Sequence, residues 1–467
     1  MQSLMMSSLS EDVMRGAQQD QKLQVEHMFR AMMTNSEFVE DYWQKKPLFL
    51  SENMPNLAGA YTMTDVEYAV ENDFVEAGRG TLEGGQGGWN MAAVSTPRGN
   101  SFEDAKLRFQ DVQASMKKKS GTVVFNSAGG FIPPLAGVCL DTMNAFDMPT
   151  AINMYLTDAG QQVSAPPHTD KQDVFVLQTQ GKKHWRVFAP PPPSAMPKND
   201  PYARGKANDV LKMEELGEPL VDVVLEPGQV LYVPGGWPHT TDTLAEFCGE
   251  GSDPSVHLTV GIDTHIWGLT YASLRGYTLR RKKLWDKLRL TKIDTDLYFD
   301  LNTALPLGVL AEPLVEKHKE LKGFGSGLQR ALAMDIKEAA VSKCMAAEPT
   351  RWESRDALEA DIGYQLDEAI PRVMKHHVSM VDTQKKMYRD VAFKISPSKM
   401  DISFFRSQPY FQDMEQLMSG MEAWPEHGTD LGEAPPKDAG PMNDLAAAKQ
   451  KKGGMKAVSG GGGFGKK

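Results

Sequence analysis

The chain has 467 residues, long enough for two to four domains. Its 41% hydrophobic and 24% charged residues are ordinary globular proportions and exclude wholesale disorder. With 51 Lys and Arg against 61 Asp and Glu, the net charge of -10 argues against a protein built mainly to coat nucleic acid.

Cys139, Cys248 and Cys344 lie far apart with no C-x-x-C spacing, so neither a disulfide framework nor a thiolate zinc site is expected and a reducing compartment fits. No run of about 18 apolar residues predicts a membrane span. The segment MQSLMMSSLSEDVMRG has no apolar signal core, so no cleaved targeting peptide is expected.

Residues 1–84 read as a helical region leading into a β-rich core. Thr34 and Glu37 have capping-box spacing, and SEFVEDYWQKK predicts a short amphipathic helix with Phe38 and Tyr42 on one face, ended by Pro47. From about 85 to 135 the composition turns to Gly, Ser and Pro with short β-branched runs such as Thr122–Phe125, which signal strands and turns. Within 150–265, AINMYL, DVFVLQTQ, KHWRVF, VDVVL, QVLYV and SVHLTVGI are six strand candidates separated by turns. Many short strands without long helices between them predict an antiparallel barrel or a double-sheet jelly roll, with 85–265 as one unit. The APPPPS run opens a Pro-rich polar stretch at about 190–218 that reads as a surface excursion.

Residues 266–345 are helix-like and begin strongly basic; 346–425 are mainly helical; 426–467, rich in Gly and Lys, bury too little apolar surface to fold alone. The fold class is therefore α+β, with helices before and after a β core. The basic run Arg280–Lys283 has two readings, an approach to RNA or a solvated helix face, and the second is preferred. His376, His377 and the 27 methionines read as surface and packing features, and His257 as a hydrogen-bonded barrel residue.

The chemistry concentrates in Pro166-Pro-His168-Thr-Asp170 and in Gly235-Gly-Trp-Pro-His239. The prolines favour an extended backbone, in which side chains two apart point the same way, so His168 and Asp170 enter one space. A later strand end brings in His239. Two imidazoles and a carboxylate on one face of a metal form the facial triad of non-heme Fe(II) oxygenases, which leaves positions open for a keto acid and dioxygen. Taken alone, H-x-D with a later histidine is a weak signal.

The cosubstrate 2-oxoglutarate has a distal carboxylate that needs a cation and hydroxyl donors. Lys183 follows a tight turn and shares a face with Trp185 and Val187, although Lys182 and Lys183 also fit a solvated hairpin turn. Ser255 offers a hydroxyl or is a strand-edge serine. Asn153 and Tyr155 share a face, as pocket groups or as ordinary barrel lining.

The run N-x-Y, PP-H-x-D, DVFVLQ-x-x-G-x-K-x-W, EPG-x-VLY-x-PxGxPH and S-x-HLT, preceded by EDYWQKKPLFL, resembles the JmjC-type cupin family of ribosomal oxygenases over roughly 36–265. The resemblance implies a double-stranded β-helix (jelly-roll, cupin) core and an Fe(II)- and 2-oxoglutarate-dependent dioxygenase that hydroxylates a histidine or arginine of a ribosomal protein. It implies iron ligands at His168, Asp170 and His239, a distal-carboxylate lysine at Lys183, and cosubstrate-pocket residues at Ser255, Asn153 and Tyr155. It also implies a helical dimerisation region at 266–345, hence a possible homodimer, and a winged-helix-like unit at 346–425. No membrane partner is expected, direct nucleic-acid binding is not required, and the location is intracellular: nucleus or nucleolus, cytoplasm or an organelle. Two alternatives share the core: a JmjC histone lysine demethylase and a non-catalytic cupin binding module. The Gln161–Ala165 stretch is less Gly-rich than the family pattern and the 190–218 excursion longer, both near the mouth where a peptide enters.

Overall fold

The computed structural model describes residues 8–72, 90–94, 107–190, 210–265 and 352–393, with a few positions between them. Eleven strands among these form two sheets. The larger is seven-stranded, in the order β1 (Leu48–Leu50), β9 (Val230–Val233), β6 (Asp173–Gln180), β11 (Ser255–Ile262), β4 (Thr150–Thr157), β3 (Gly121–Phe125), β2 (Asn90–Val94). The smaller is four-stranded, in the order β5 (Ala165–His168), β10 (His239–Asp242), β7 (Lys183–Phe188), β8 (Pro219–Leu225). All pairings are antiparallel except β2 with β3. Strands β4 to β11, four in each sheet, make the jelly roll expected from the sequence.

Alternation along β6 explains the layering. Phe175 and Leu177 face helices packed outside the larger sheet, whereas Val174 and Val176 pack between the sheets with Trp185, Val187, Leu225, Leu231 and Val233. A strand covered on both faces is buried along nearly its whole length, and β6 is. The outer layer holds α1 (Ser8–Gln19), α2 (Glu26–Thr34), α3 (Met63–Glu71), α4 (Phe109–Met116) and α5 (Pro133–Phe146), with α6 (Ala245–Cys248) after β10. Phe29, Phe38, Trp43, Phe146, Phe175 and Tyr232 form its aromatic centre, with ring centroids 4.9–6.2 Å apart.

Some local expectations change. Thr34 ends α2 instead of capping the next turn, its hydroxyl donating back to Arg30 and Ala31 carbonyls. Asn35 does the capping, its Oδ1 accepting from the Phe38 N–H, and Phe38–Tyr42 is a π-helical turn. Two helices, α4 and α5, occupy a region where composition signals only strands and turns or gives no signal. Pro133 and Pro134 occupy the first turn of α5, where a missing N–H is harmless.

The part of 346–425 that is described contains one 38-residue helix, α7 (Arg355–Ala392), and no hairpin of a winged helix. It docks on α5 and on the entry to β4. Tyr388 OH donates to the Thr150 carbonyl (2.6 Å), Gln384 Oε1 accepts from Thr150 N–H (3.1 Å), and His377 Nε2 bonds the Asp147 carbonyl (2.7 Å). His377 is therefore a buried anchor, not a surface residue. The expected dimerisation region lies outside the described residues apart from scattered positions, as does the tail 426–467. No helix among the described residues is long and apolar enough to cross a membrane.

Candidate metal and cosubstrate site

Strand β5 stops at His168, which lies directly opposite His239 on β10. Facing residues on paired strands bring their side chains together, and the two imidazole centroids are 4.3 Å apart. Asp170 lies past the end of β5. It joins through the turn, held where its carbonyl accepts from Gly236 N–H (2.8 Å), and not through the strand alternation expected from the sequence.

The three side chains converge. Asp170 Oδ2 is 4.0 Å from His168 Nε2 and 3.6 Å from His239 Nε2, and one donor atom from each residue lies within 4.8 Å of the others. Each imidazole uses Nδ1 on the backbone: His168 to the Pro166 carbonyl (2.8 Å) and His239 to the Trp237 carbonyl (3.0 Å). A carbonyl only accepts, so Nδ1 carries a proton, and in the neutral ring this leaves the lone pair on Nε2, the nitrogen on the side of Asp170. Two neutral imidazoles and one carboxylate on a single face suit ferrous iron.

Deeper in the same cavity lies Lys183. It is 1% exposed, and its Nζ donates to Thr157 Oγ1 (2.9 Å). Burial pushes its ammonium down to about 7, against the opposing influence of Cys248 and Asp242. Tyr155, Ala165, Val174, Trp185, Thr241, His257 and Thr259 line the rest of the cavity. An inward ammonium in such surroundings is suited to an anion entering from the mouth.

The remaining sequence candidates divide. Tyr155 lines the cavity, its ring stacked on His257 (4.9 Å, 4°). Asn153 uses its Oδ1 to accept from Ser127 N–H (2.9 Å) and does not line the cavity. Ser255 is likewise absent from the lining: its Oγ accepts from Gln178 Nε2 (3.0 Å). Along β11 the pairing to β4 runs unbroken, so Ser255 lies on the same side as His257 and Thr259, which line the cavity; the irregularity opposite Val256 and His257 is an extra residue of β6, Thr179. His257 has a buried Nδ1 without a hydrogen-bond partner, so it is not the satisfied barrel residue expected. Burial and the Lys183 charge hold its pKa well below the usual histidine value. Strand periodicity along SVHLT was the signal for His257 and Thr259.

Side chains alternating with Lys183 and Trp185 point outward. His184 bridges Asp242 (Nδ1, 2.9 Å) and Asp222 (Nε2, 2.6 Å), an arrangement that requires both ring protons.

Residues 135–267, which run from α5 through the last strand of the jelly-roll core, match the family model of the JmjC domain. The chain is similar to Ribosomal oxygenase 2 of Rattus norvegicus (27% identity over 236 residues, 50% of this chain and 46% of the relative). It is also similar to Ribosomal oxygenase 1 of Gallus gallus (29% over 259 residues, 54% and 39%) and to the bifunctional lysine-specific demethylase and histidyl-hydroxylase NO66 of Drosophila mojavensis (29% over 233 residues, 49% and 24%). The matched regions span less than half the length of these relatives. Among solved structures, the Escherichia coli ribosomal oxygenase YcfD with cobalt and 2-oxoglutarate aligns with TM-score 0.33 at 18% identity, over 65% of this chain and 71% of that one.

Proposed function

We propose that the chain is an Fe(II)- and 2-oxoglutarate-dependent dioxygenase that hydroxylates a protein side chain, a histidine or arginine of a ribosomal protein. The observation that carries this is the convergence of His168, Asp170 and His239 on one face, with the Lys183 ammonium deeper in the same cavity. The names of the relatives support the ribosomal substrate class. Iron bound there would supply the oxidising chemistry, with 2-oxoglutarate and dioxygen consumed as succinate and carbon dioxide are released.

The protein's own groups do the rest. The Pro166 and Trp237 carbonyls fix both imidazoles in the tautomer that presents Nε2, and Asp170 contributes the hard anionic donor. Lys183 neutralises the distal carboxylate of the keto acid and sets how far it reaches toward the three donors. Tyr155 stacks on His257 and Trp185 meets the same ring edge-on, so the three form one aromatic wall of the cavity. In this reading the polypeptide substrate enters at the mouth, and the protein works inside the cell.

The test uses anaerobically purified chain given Fe(II), 2-oxoglutarate, dioxygen and ribosomal-protein fragments. Succinate release together with one added oxygen on a histidine or arginine is expected, and His168→Ala should lose both without losing its fold. Loss of a methyl group from methylated histone peptides would favour demethylation. No metal-dependent consumption of 2-oxoglutarate by the unaltered chain would make it a binding module.

A further inference from the structure

In the 190–218 excursion, which the proposed chemistry does not use, two of the described residues reach the loop that carries the candidate ligands. Arg204 and Gly205 lie against Pro167, His168 and Thr169. The Arg204 carbonyl accepts from Thr169 N–H (3.0 Å), and Arg204 N–H donates to Thr169 Oγ1 (2.8 Å). Thr169, the residue between the two candidate ligands of H-x-D, is fully buried, and Arg204 is 2% exposed.

Gly205 has a φ of +71° and no room for a side chain. A Cβ there would overlap the Pro167 carbonyl oxygen and sit 2.8 Å from His168 Cα. Two further glycines close on the same loop: Gly235 against the Lys171 carbonyl, and Gly261 against the Gln172 side chain. Gly236 N–H holds the Asp170 carbonyl. The loop that supplies two of the three donors is thus enclosed by backbone from separate parts of the chain.

We propose that Arg204-Gly205 is a positioning strap: it clamps Thr169 so that His168 and Asp170 are held in metal-binding geometry before the ion arrives. The inference rests on the reading of His168, Asp170 and His239 as ligands. Partners that orient a ligand, without touching the metal, typically matter about 10- to 100-fold in metal affinity.

Gly217 provides the control. Its φ is +70°, but a Cβ there meets nothing within 4 Å, so an alanine carries the backbone strain without the collision. The experiment titrates the full-length chain with Co(II), following the metal's visible absorption, beside thermal unfolding of each metal-free variant. Gly205→Ala should weaken Co(II) binding about 10-fold or more and alter the absorption band, whereas Gly217→Ala should bind like the unaltered chain. Thr169→Val, which removes the acceptor for Arg204 N–H, should also weaken binding, and Thr169→Ser should restore it. Should Gly205→Ala fail to fold, the Thr169 pair decides.

Unaltered binding in both Gly205→Ala and Thr169→Val, or an equal loss in Gly217→Ala, would overturn the strap alone. Binding by the unaltered chain no tighter than by His168→Ala would overturn the ligand assignment, and the strap with it.

Discussion

Lys183 and His184 are neighbours on β7 with opposite fates, because a strand sends alternate side chains to opposite faces. Lys183 enters the cavity, where burial lowers its ammonium to about 7. A dicarboxylate binds the charged form, so 2-oxoglutarate affinity should be level below about pH 7 and fall roughly tenfold per unit above it. Calorimetric titration of the Co(II)-loaded protein between pH 6 and 9 would show this slope, and Lys183→Met should remove it while weakening binding about 10- to 100-fold.

His184 faces outward but is covered. Burial alone would lower its pKa, yet hydrogen bonds to Asp242 and Asp222 outweigh that and raise it. A base with a raised folded pKa contributes stability that is fully present below its unfolded value near 6.5 and is lost as pH climbs through the folded value. His184→Gln should cost roughly 2–3 kcal/mol at pH 6 and less at alkaline pH, since buried Asp242 loses its cation and keeps Arg186 at 3.4 Å. Urea unfolding at both pH values measures the difference, and an equal cost at both would remove the charge from the explanation.

At the scale of elements, α7 is tied to the start of β4, the strand that carries Tyr155. Tyr388 and Gln384 occupy the Thr150 carbonyl and N–H at a point where β4 is not yet paired to β3. Tyr388→Phe should destabilise the protein by about 1–2 kcal/mol, because a buried carbonyl loses its donor while packing is preserved. A shift in the urea midpoint at constant slope would show it. The strands were legible in sequence because β6, β7 and β11 are dense in β-branched and aromatic residues. Helices α4 and α5 were not, since one follows an uninformative stretch and the other opens on two prolines that also fit a turn. The register shift between β6 and β11 was equally hidden: nothing in DVFVLQTQ marks Thr179 as the extra residue.

For the molecule as a whole, one apolar cluster joins Leu9 and Val13 of α1, the outer face of the larger sheet and Tyr388 and Val391 of α7. Helices from both ends of the described chain thus share a core with the barrel. A ligand that binds only the folded state stabilises it by about 2.7 kcal/mol at a concentration 100 times its Kd. Saturating Co(II) should therefore raise the unfolding temperature of the unaltered chain by a few degrees, and leave that of His168→Ala in place. Differential scanning calorimetry with and without the metal is the check.

What the sequence determined by itself was chemical identity: which residue types alternate along each strand, and which of them can donate to a metal or neutralise an anion. Those are local properties, set by side-chain chemistry and by a two-residue period. Only the tertiary structure decided that Asp170 arrives through a turn held by Gly236, that Ser255 turns to Gln178 while His257 faces the cavity, and that Arg204 reaches back to Thr169. Such contacts join residues about 35 to 77 positions apart, and backbone hydrogen bonding and close approach, which carry no residue-type signature, select them.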